Sequence, residues 1–196
     1  MQATDGTKQQ ILDAAFETLK TEGFSAATSR AVARRGGFNQ ALVFYHFGSM
    51  DGLLLAALDW TNEQRLAAYR ETLAHAGTVQ DVLAAATRLF EEDLESGHIT
   101  VVSQMIAGSV GRPELAPEML SRMKPWLELC EETLERIAVD SPLTAAVPPP
   151  ELAYAIVTFY LGANLLTHLE ADRARVDALI ARLRELGPFV SSMLGA

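Results

Sequence analysis

The chain has 196 residues, 49% of them hydrophobic, and a formal net charge of −9. That composition supplies a sizeable core and excludes an intrinsically disordered chain, and the single cysteine, Cys130, excludes an intrachain disulfide. No basic stretch followed by an apolar run opens the chain, and no apolar run approaches the ~18–20 residues a bilayer requires, so the expectation is a cytoplasmic protein with no membrane partner.

In chain order, Thr7-Lys8-Gln9-Gln10 has the form of a capping box and predicts a helix start. Ile11, Leu12, Ala15, Phe16 and Leu19 recur at three and four residues and give that helix one apolar face. Gly23 is placed to end it, with Phe24 as a plug. Two short helical patterns then flank Gly36-Gly37, the first starting at the N-cap residue Thr28. Ala33 sits four residues before Gly37 and Val43 follows six residues after it, the spacing of a helix-turn-helix. Ala33 lets the second helix approach, Gly37 can take the positive φ of the turn, and Val32, Phe38 and Val43 plug the crossing. The second helix, over 39–46, would present its first turn to a DNA major groove. An ordinary corner between two helices fits the same spacing.

Charge is unevenly spread. The first fifty residues hold five basic and four acidic side chains, with Arg30, Arg34 and Arg35 around the turn; the remainder holds eleven basic and twenty-one acidic. A near-neutral head is joined to an acidic body, so DNA affinity would lean on dimerisation and hydrogen bonding more than on bulk charge.

Ser49 is an N-cap for the next helix, over 52–76, and Asp51 suits the positive end of its dipole. That helix carries Leu53, Leu54, Ala57, Leu58, Trp60, Leu66, Tyr69 and Leu73, and at ~1.5 Å per residue it would run about 40 Å. Thr78-x-x-Asp81 caps another helix, with Val82, Leu83, Ala86, Leu89, Phe90 and Leu94, ended by Gly97. The β-branched run Ile99-Thr100-Val101-Val102 favours a strand in isolation; with helices on both sides and no partner strand, residues 99–106 read as helix. Gly108, Gly111 and Pro113 mark a loop. A helix over 117–139 contains Pro125, which should bend it. Residues 140–150 read as a surface connection. A helix over 151–170 follows Pro150, and Asp172 caps a last one with Val176, Leu179, Ile180, Leu183 and Leu186. Gly187-Pro188 should interrupt that helix before residues 189–194. The fold class is all-α, about nine helices, with a helix-turn-helix head over 1–50 and a larger helical body over 51–196, to which the resemblance given below assigns ligand binding and dimerisation. The two C-terminal helices are apolar over more than one face and must be covered on two sides. A twin subunit would cover them as a four-helix bundle; a fully internal core is the alternative.

Ile11-Leu12-Asp13-Ala14-Ala15, Gly23-Phe24, Ala33 to Gly37 and Phe44-Tyr45-His46-Phe47, followed by Gly48-Ser49, resemble the head of the TetR family of transcriptional regulators. The likeness is specific across residues 7–58 and beyond them rests on length and helical pattern. It implies a ligand-responsive regulator, a repressor, that binds a palindromic double-stranded DNA operator as a homodimer through its two C-terminal helices. A small apolar or amphipathic ligand in the body would release it, the long helix carrying the effect to recognition helices that must sit about 34–36 Å apart. No cofactor is implied. Thr28, Ser29, Arg30, Tyr45 and His46 would position the DNA backbone. Asn39, Gln40, Ala41 and Leu42 would meet the bases, Gln or Asn on adenine edges and Leu on a thymine methyl. Gln40 is the strongest of these, whereas Asn39 fits equally well as an N-cap. The sequence departs from the family at two places: Phe44 stands where a phosphate-bonding tyrosine is usual, and Met50 where a lysine is usual.

Tyr69, Phe90, Met105, Met123, Trp126 and Phe159 are large or adaptable, and Gln104, Asn164 and His168 are polar amid apolar stretches; together they form the candidate ligand site. The same residue types also build ordinary cores, and His168 near a helix C-terminus also fits dipole stabilisation. Two other readings stay open: a helical DNA-binding adaptor controlled by a protein partner, and a small-molecule-binding protein with weakened DNA binding. No enzyme is expected. There is no phosphate loop, HExxH or nucleophile elbow. His46, His75, His98 and His168 are scattered, so no metal site is expected, and Glu131 and Glu132 should raise the Cys130 thiol pKa. Asp93 with His98 is the nearest catalytic pair.

Overall fold

The computed structural model describes residues 2–138, 142–170, 172–185 and 188. Among them are ten α-helices and no strand: α1 (Gln2–Glu22), α2 (Ser29–Gly36), α3 (Ala41–Phe47), α4 (Met50–Ala74), α5 (Val79–Ser96), α6 (His98–Val110), α7 (Ala116–Ile137), α8 (Pro142–Ala146), α9 (Pro149–Glu170) and α10 (Ala174–Glu185). Short 3-10 turns cover Phe24–Ala26 and Pro113–Leu115. The fold is all-α, and the β-branched run at Ile99 is helical as expected.

The chain divides into two compact units, Met1–Arg65 with Gly97–Arg122, and Leu66–Ser96 with Met123–Ala196. Residues 1–50 therefore do not form a unit by themselves. The reason is α6, which packs on α1 and on the 24–26 turn. The backbone N–H of Phe24 donates to Gln104 Oε1 at 3.1 Å. Gly108 lies inside α6, not in a loop, and a Cβ there would sit 2.4 Å from the Phe24 ring. Only glycine allows that approach.

The first unit is built on an apolar cluster of Ile11, Leu12, Ala14, Ala15, Val32, Val43, Leu53 and Ala57. The three- and four-residue spacing in α1 delivers one stripe of side chains to this cluster. Helix α1 begins at Gln2, so Thr7 lies within it and the expected capping box is not its start. A cap acts only where the preceding chain leaves the helix, and residues 2–6 are helical themselves. Ser49 does act as a cap, its Oγ accepting from the Gly52 N–H at 3.0 Å. Asp51 pairs with Arg112, and Arg122 donates to Asp59 and Glu118, each at 2.8 Å. Thr61 Oγ1 and His98 Nδ1 lie 3.0 Å apart, both residues buried.

The second unit begins in α4 and continues through the predicted capping box. The Asp81 N–H donates to Thr78 Oγ1 at 3.2 Å, and the Thr78 N–H to Asp81 Oδ2 at 3.0 Å. Its interior is in smaller pieces: Leu73, Ala85 and Leu129; Val79 and Ala138; Phe90, Ala163 and Val176. Pro125 is accommodated inside a continuous α7. The expected connection over 140–150 contains α8, with residues 139–141 outside the described ones. Asp172 caps α10, Oδ1 accepting from the Ala174 N–H at 3.0 Å. The expectations for Leu186, Gly187 and residues 189–194 lie outside the described residues.

One expectation is corrected by α9. Its 22 residues are long and apolar enough to cross a bilayer by length and composition. Tyr154, Thr158, Asn164 and Thr167 interrupt the apolar run when it is read residue by residue, but they do not lower its average enough. Along this helix Tyr154, Ile156, Phe159, Leu165, Leu166 and Leu169 are exposed.

Candidate nucleic-acid interface and ligand site

Thr28 starts α2 by accepting the Ala31 N–H on its Oγ1 at 3.2 Å. Gly37 ends the helix at φ 70°, its N–H bonded to the Ala33 carbonyl. The chain then turns, and Asn39 Oδ1 accepts the Ala41 N–H at 2.9 Å. Asn39, one residue before the N-cap position Gln40, thus holds the start of α3 with its side-chain oxygen. Val32 and Val43 are fully buried at the crossing, as their spacing predicts. Leu42 is partly buried and packs against the apolar cluster, as do Phe38, Phe47 and Met50. In a seven-residue helix with Val43 fixed inward, the residue on either side of the inward line is drawn partly into the core. The outward strip consists of Gln40, Ala41, Phe44 and Tyr45, all exposed. Tyr45 is 79% exposed and stands edge-on to half-buried His46, ring centres 4.9 Å apart.

Between Thr28 and Met50 there are three arginines and no acidic residue. Two of them turn back to α1. Arg35 donates to Thr21 Oγ1 at 2.8 Å and to Glu22 Oε1 at 2.7 Å, and Arg34 lies 3.9 Å from Glu22. Arg30 is exposed and Ser29 half-buried at the start of α2.

The candidate ligand residues are distributed over both units. Gln104 and Met105 belong to the first unit, where Gln104 holds the Phe24 N–H and Met105 is fully buried. In the second unit Phe159 and His168 are exposed, Met123 is half-buried and Asn164 is buried. Tyr69, Trp126 and Phe90 do come together, around Asp93 and Tyr160, which were not among the candidate ligand residues. The Tyr69 hydroxyl donates to Asp93 Oδ2 at 2.7 Å, and Tyr160 donates to the same oxygen. The two hydroxyl oxygens are 3.2 Å apart. Trp126 packs edge-on to Tyr69 at 5.0 Å, and Phe90 edge-on to Tyr160 at 5.3 Å. Asp93 is fully buried. Burial, reinforced by Tyr69 and Asp93, pushes the Tyr160 hydroxyl well above its ordinary pKa. The signal was visible in the sequence: Asp93 falls four residues after Leu89 and three after Phe90, on the apolar stripe of α5, where a carboxylate is costly unless hydrogen-bonded.

Asp93 and His98 thus have separate partners, in separate units. Burial alone pushes the Cys130 thiol up to about 11, rather than the neighbouring glutamates. Among the described residues no three His, Cys, Asp or Glu side chains converge as metal ligands.

Residues 11–57 match the family described as bacterial regulatory proteins, tetR family, a span that takes in most of α1, all of α2 and α3, and the start of α4. The head of the chain thus matches the TetR family, and the fold of the whole is shared with TetR-family regulators. It is similar to the uncharacterized HTH-type transcriptional regulator YvkB of Bacillus subtilis, 30% identical over 86 residues, 44% of each chain. It is similar also to the HTH-type transcriptional regulator UidR of Escherichia coli, 26% identical over 110 residues, 56% of this chain and 55% of that one. The chain spans about half the length of the curated relatives it matches. Its fold is shared with the transcriptional regulator FadR from Bacillus subtilis in complex with stearoyl-CoA, at a TM-score of 0.70 and 16% identity, over 91% of this chain and 96% of that one.

Two residues of the matched head depart from the family's usual pattern. Met50 is half-buried against the head core, so its side chain serves packing. Phe44 is 50% exposed and carries no hydroxyl for a phosphate. Lys8 lies 5.8 Å from the centre of the Phe47 ring, a cation–π contact that places a cation at the end of α3.

Proposed function

We propose that this TetR-family chain is a cytoplasmic, ligand-responsive transcriptional repressor that binds a two-fold symmetric operator as a homodimer. The observation that carries the reading is the helix-turn-helix itself: α3 turns Gln40, Ala41, Phe44 and Tyr45 outward while Val43 anchors it from behind. A helix of this kind reads base edges in the major groove, and a dimer places two of them about 34–36 Å apart. Gln40 is the base-reading residue, suited to an adenine edge, beside Ala41. Tyr45, His46, Ser29 and Arg30 are suited to the backbone.

Pairing is supported by the exposed apolar side chains of α9 and α10, among them Ile156, Phe159, Leu166, Leu179 and Leu183. Such a face is costly in water and fits a second copy. A small apolar or amphipathic molecule would act in the second unit, at the aromatic cluster of Tyr69, Phe90, Trp126 and Tyr160 around Asp93. It would release DNA through its different affinity for the bound and free states. The structurally similar FadR holds stearoyl-CoA, which makes fatty acyl thioesters the first probes to try.

Selection of random duplexes by gel shift at moderate salt tests the reading; it should enrich a two-fold symmetric site, and enrichment of none would refute it. Gln40→Ala should lose about tenfold discrimination at one base position per half-site. Uniform weakening across all sequences would instead assign Gln40 to the backbone.

A further inference from the structure

The outward strip of α3 is unusually apolar for a surface that meets a polar groove. Gln40 is followed by Ala41 and Phe44, and Phe44 is 50% exposed. Leu42, suited to an apolar base contact, is partly buried against the core, whereas Phe44 is the more exposed of the two. The exposed ring of Phe44 has no such role inside, because Val43 and Phe47 supply the inward contacts from α3. The occupant of this strip is indicated by charge. From Thr28 to Met50 the segment carries three arginines and no acid, whereas the whole chain is at −9. Arg34 and Arg35 are paired with Glu22, but no carboxylate stands on the segment itself to repel a polyanion, and the match of residues 11–57 to a family of bacterial regulatory proteins makes that polyanion DNA. The apolar group that double-stranded DNA offers in its major groove is the thymine C5-methyl, and Ala and Phe side chains are the kind that contact it.

We infer that Phe44, with Ala41 beside it, reads thymine methyl groups, so each operator half-site carries a thymine at the position facing Phe44. This inference rests on the operator reading above and deepens it. The loss of the tyrosine hydroxyl then has a counterpart: the position gives up a phosphate hydrogen bond and becomes a base-reading one. Gln40 and Phe44 lie four residues apart on one face of α3, so they meet neighbouring base pairs. Gln40 selects by hydrogen bonding and Phe44 by methyl burial.

The test uses the full chain and the duplex it selects. Each thymine of the site is replaced by deoxyuridine, which removes the methyl and keeps base pairing, and the affinity is measured at one fixed salt concentration. One thymine per half-site should lose about fourfold on replacement, and the symmetric double replacement about fifteenfold, the scale of one buried methyl per half-site. In F44A the same replacements should be neutral, while F44Y, which keeps the ring, should retain the sensitivity. Deoxyuridine that is neutral everywhere in a selected site, or a loss of equal size in F44A, overturns the inference and leaves the operator reading standing. Failure to select any symmetric site overturns both. The deoxyuridine series on the unaltered protein needs no variant, so a folding defect in F44A would not decide the outcome.

Discussion

Of the largest fully buried side chains, Ile11, Leu19, Val32, Val43, Leu53, Leu58, Ile99 and Met105 belong to the first unit, whereas Leu89 and Asp93 belong to the second. The exposed large hydrophobics run the other way. Tyr154, Ile156, Phe159, Leu165, Leu166, Leu169, Leu179 and Leu183 are all in the second unit. Both units are helical, yet one closes around its own apolar stripe and the other leaves apolar faces uncovered around a buried carboxylate. The head is held by local spacing and by long-range contacts from α6 and beyond, among them Phe24–Gln104, Asp51–Arg112 and Thr61–His98. The second unit depends on hydrogen bonding deep inside and on whatever covers α9 and α10.

Four changes would break or sharpen that contrast. The largest effect is expected at Asp93. Asp93→Ala leaves the Tyr69 and Tyr160 hydroxyls without their shared acceptor and should destabilise the second unit by about 3 kcal/mol. Urea unfolding followed by Trp126 fluorescence would measure this, and an unchanged midpoint would show that the cluster contributes little. Leu166→Glu places a charge on the apolar side of α9 and should turn the protein monomeric in sedimentation, with about a hundredfold loss of operator affinity as the second head is no longer tethered. A dimer that persists would move the interface elsewhere.

Gly108→Ala acts in the first unit. Its Cβ would meet the Phe24 ring at 2.4 Å, so a cost of about 1–3 kcal/mol is expected from overpacking. The operator affinity should fall with it, because the 24–26 turn leads directly into α2. The smallest effect concerns pH. The Thr78 hydroxyl, with the Thr78 and Gly77 N–H groups, holds the Asp81 carboxylate below its ordinary value of 3.8. Its contribution is therefore complete above that ordinary value and is lost as pH falls through the lower folded one. Thermal unfolding of Asp81→Asn should lie below the unaltered protein at neutral pH and approach it at the acid end; a constant gap would contradict the cap.

The helix-turn-helix was legible because its determinants are close neighbours. Ala33, Gly37 and Val43 act within eleven residues, and Thr28 and Ser49 cap helices that start beside them. The Thr78–Asp81 box was legible for the same reason. The N-terminal box at Thr7 misled because a local signal cannot tell whether the chain before it is already helical. The site residues were harder. Leu42 reads in the sequence as a base contact, and it packs partly against the core of Ile11, Val43 and Leu53. Gln104 looks like a ligand contact and instead holds an N–H eighty residues earlier. Asp93 was paired with His98 by proximity in the chain, whereas its partners are Tyr69 and Tyr160, 24 and 67 residues away.

Residues 11–57 carry their own identity. Spacing, small residues and caps act over a few bonds, so the order of side chains is enough to specify two crossed helices and the family they belong to. Which side chains then face outward is a different matter. Whether Leu42 or Phe44 can meet a base, whether Gly108 is loop or contact, and which residues surround Asp93 all depend on helices brought together from distant parts of the chain. Packing against those partners, which no local pattern encodes, decides what is left on the surface to act.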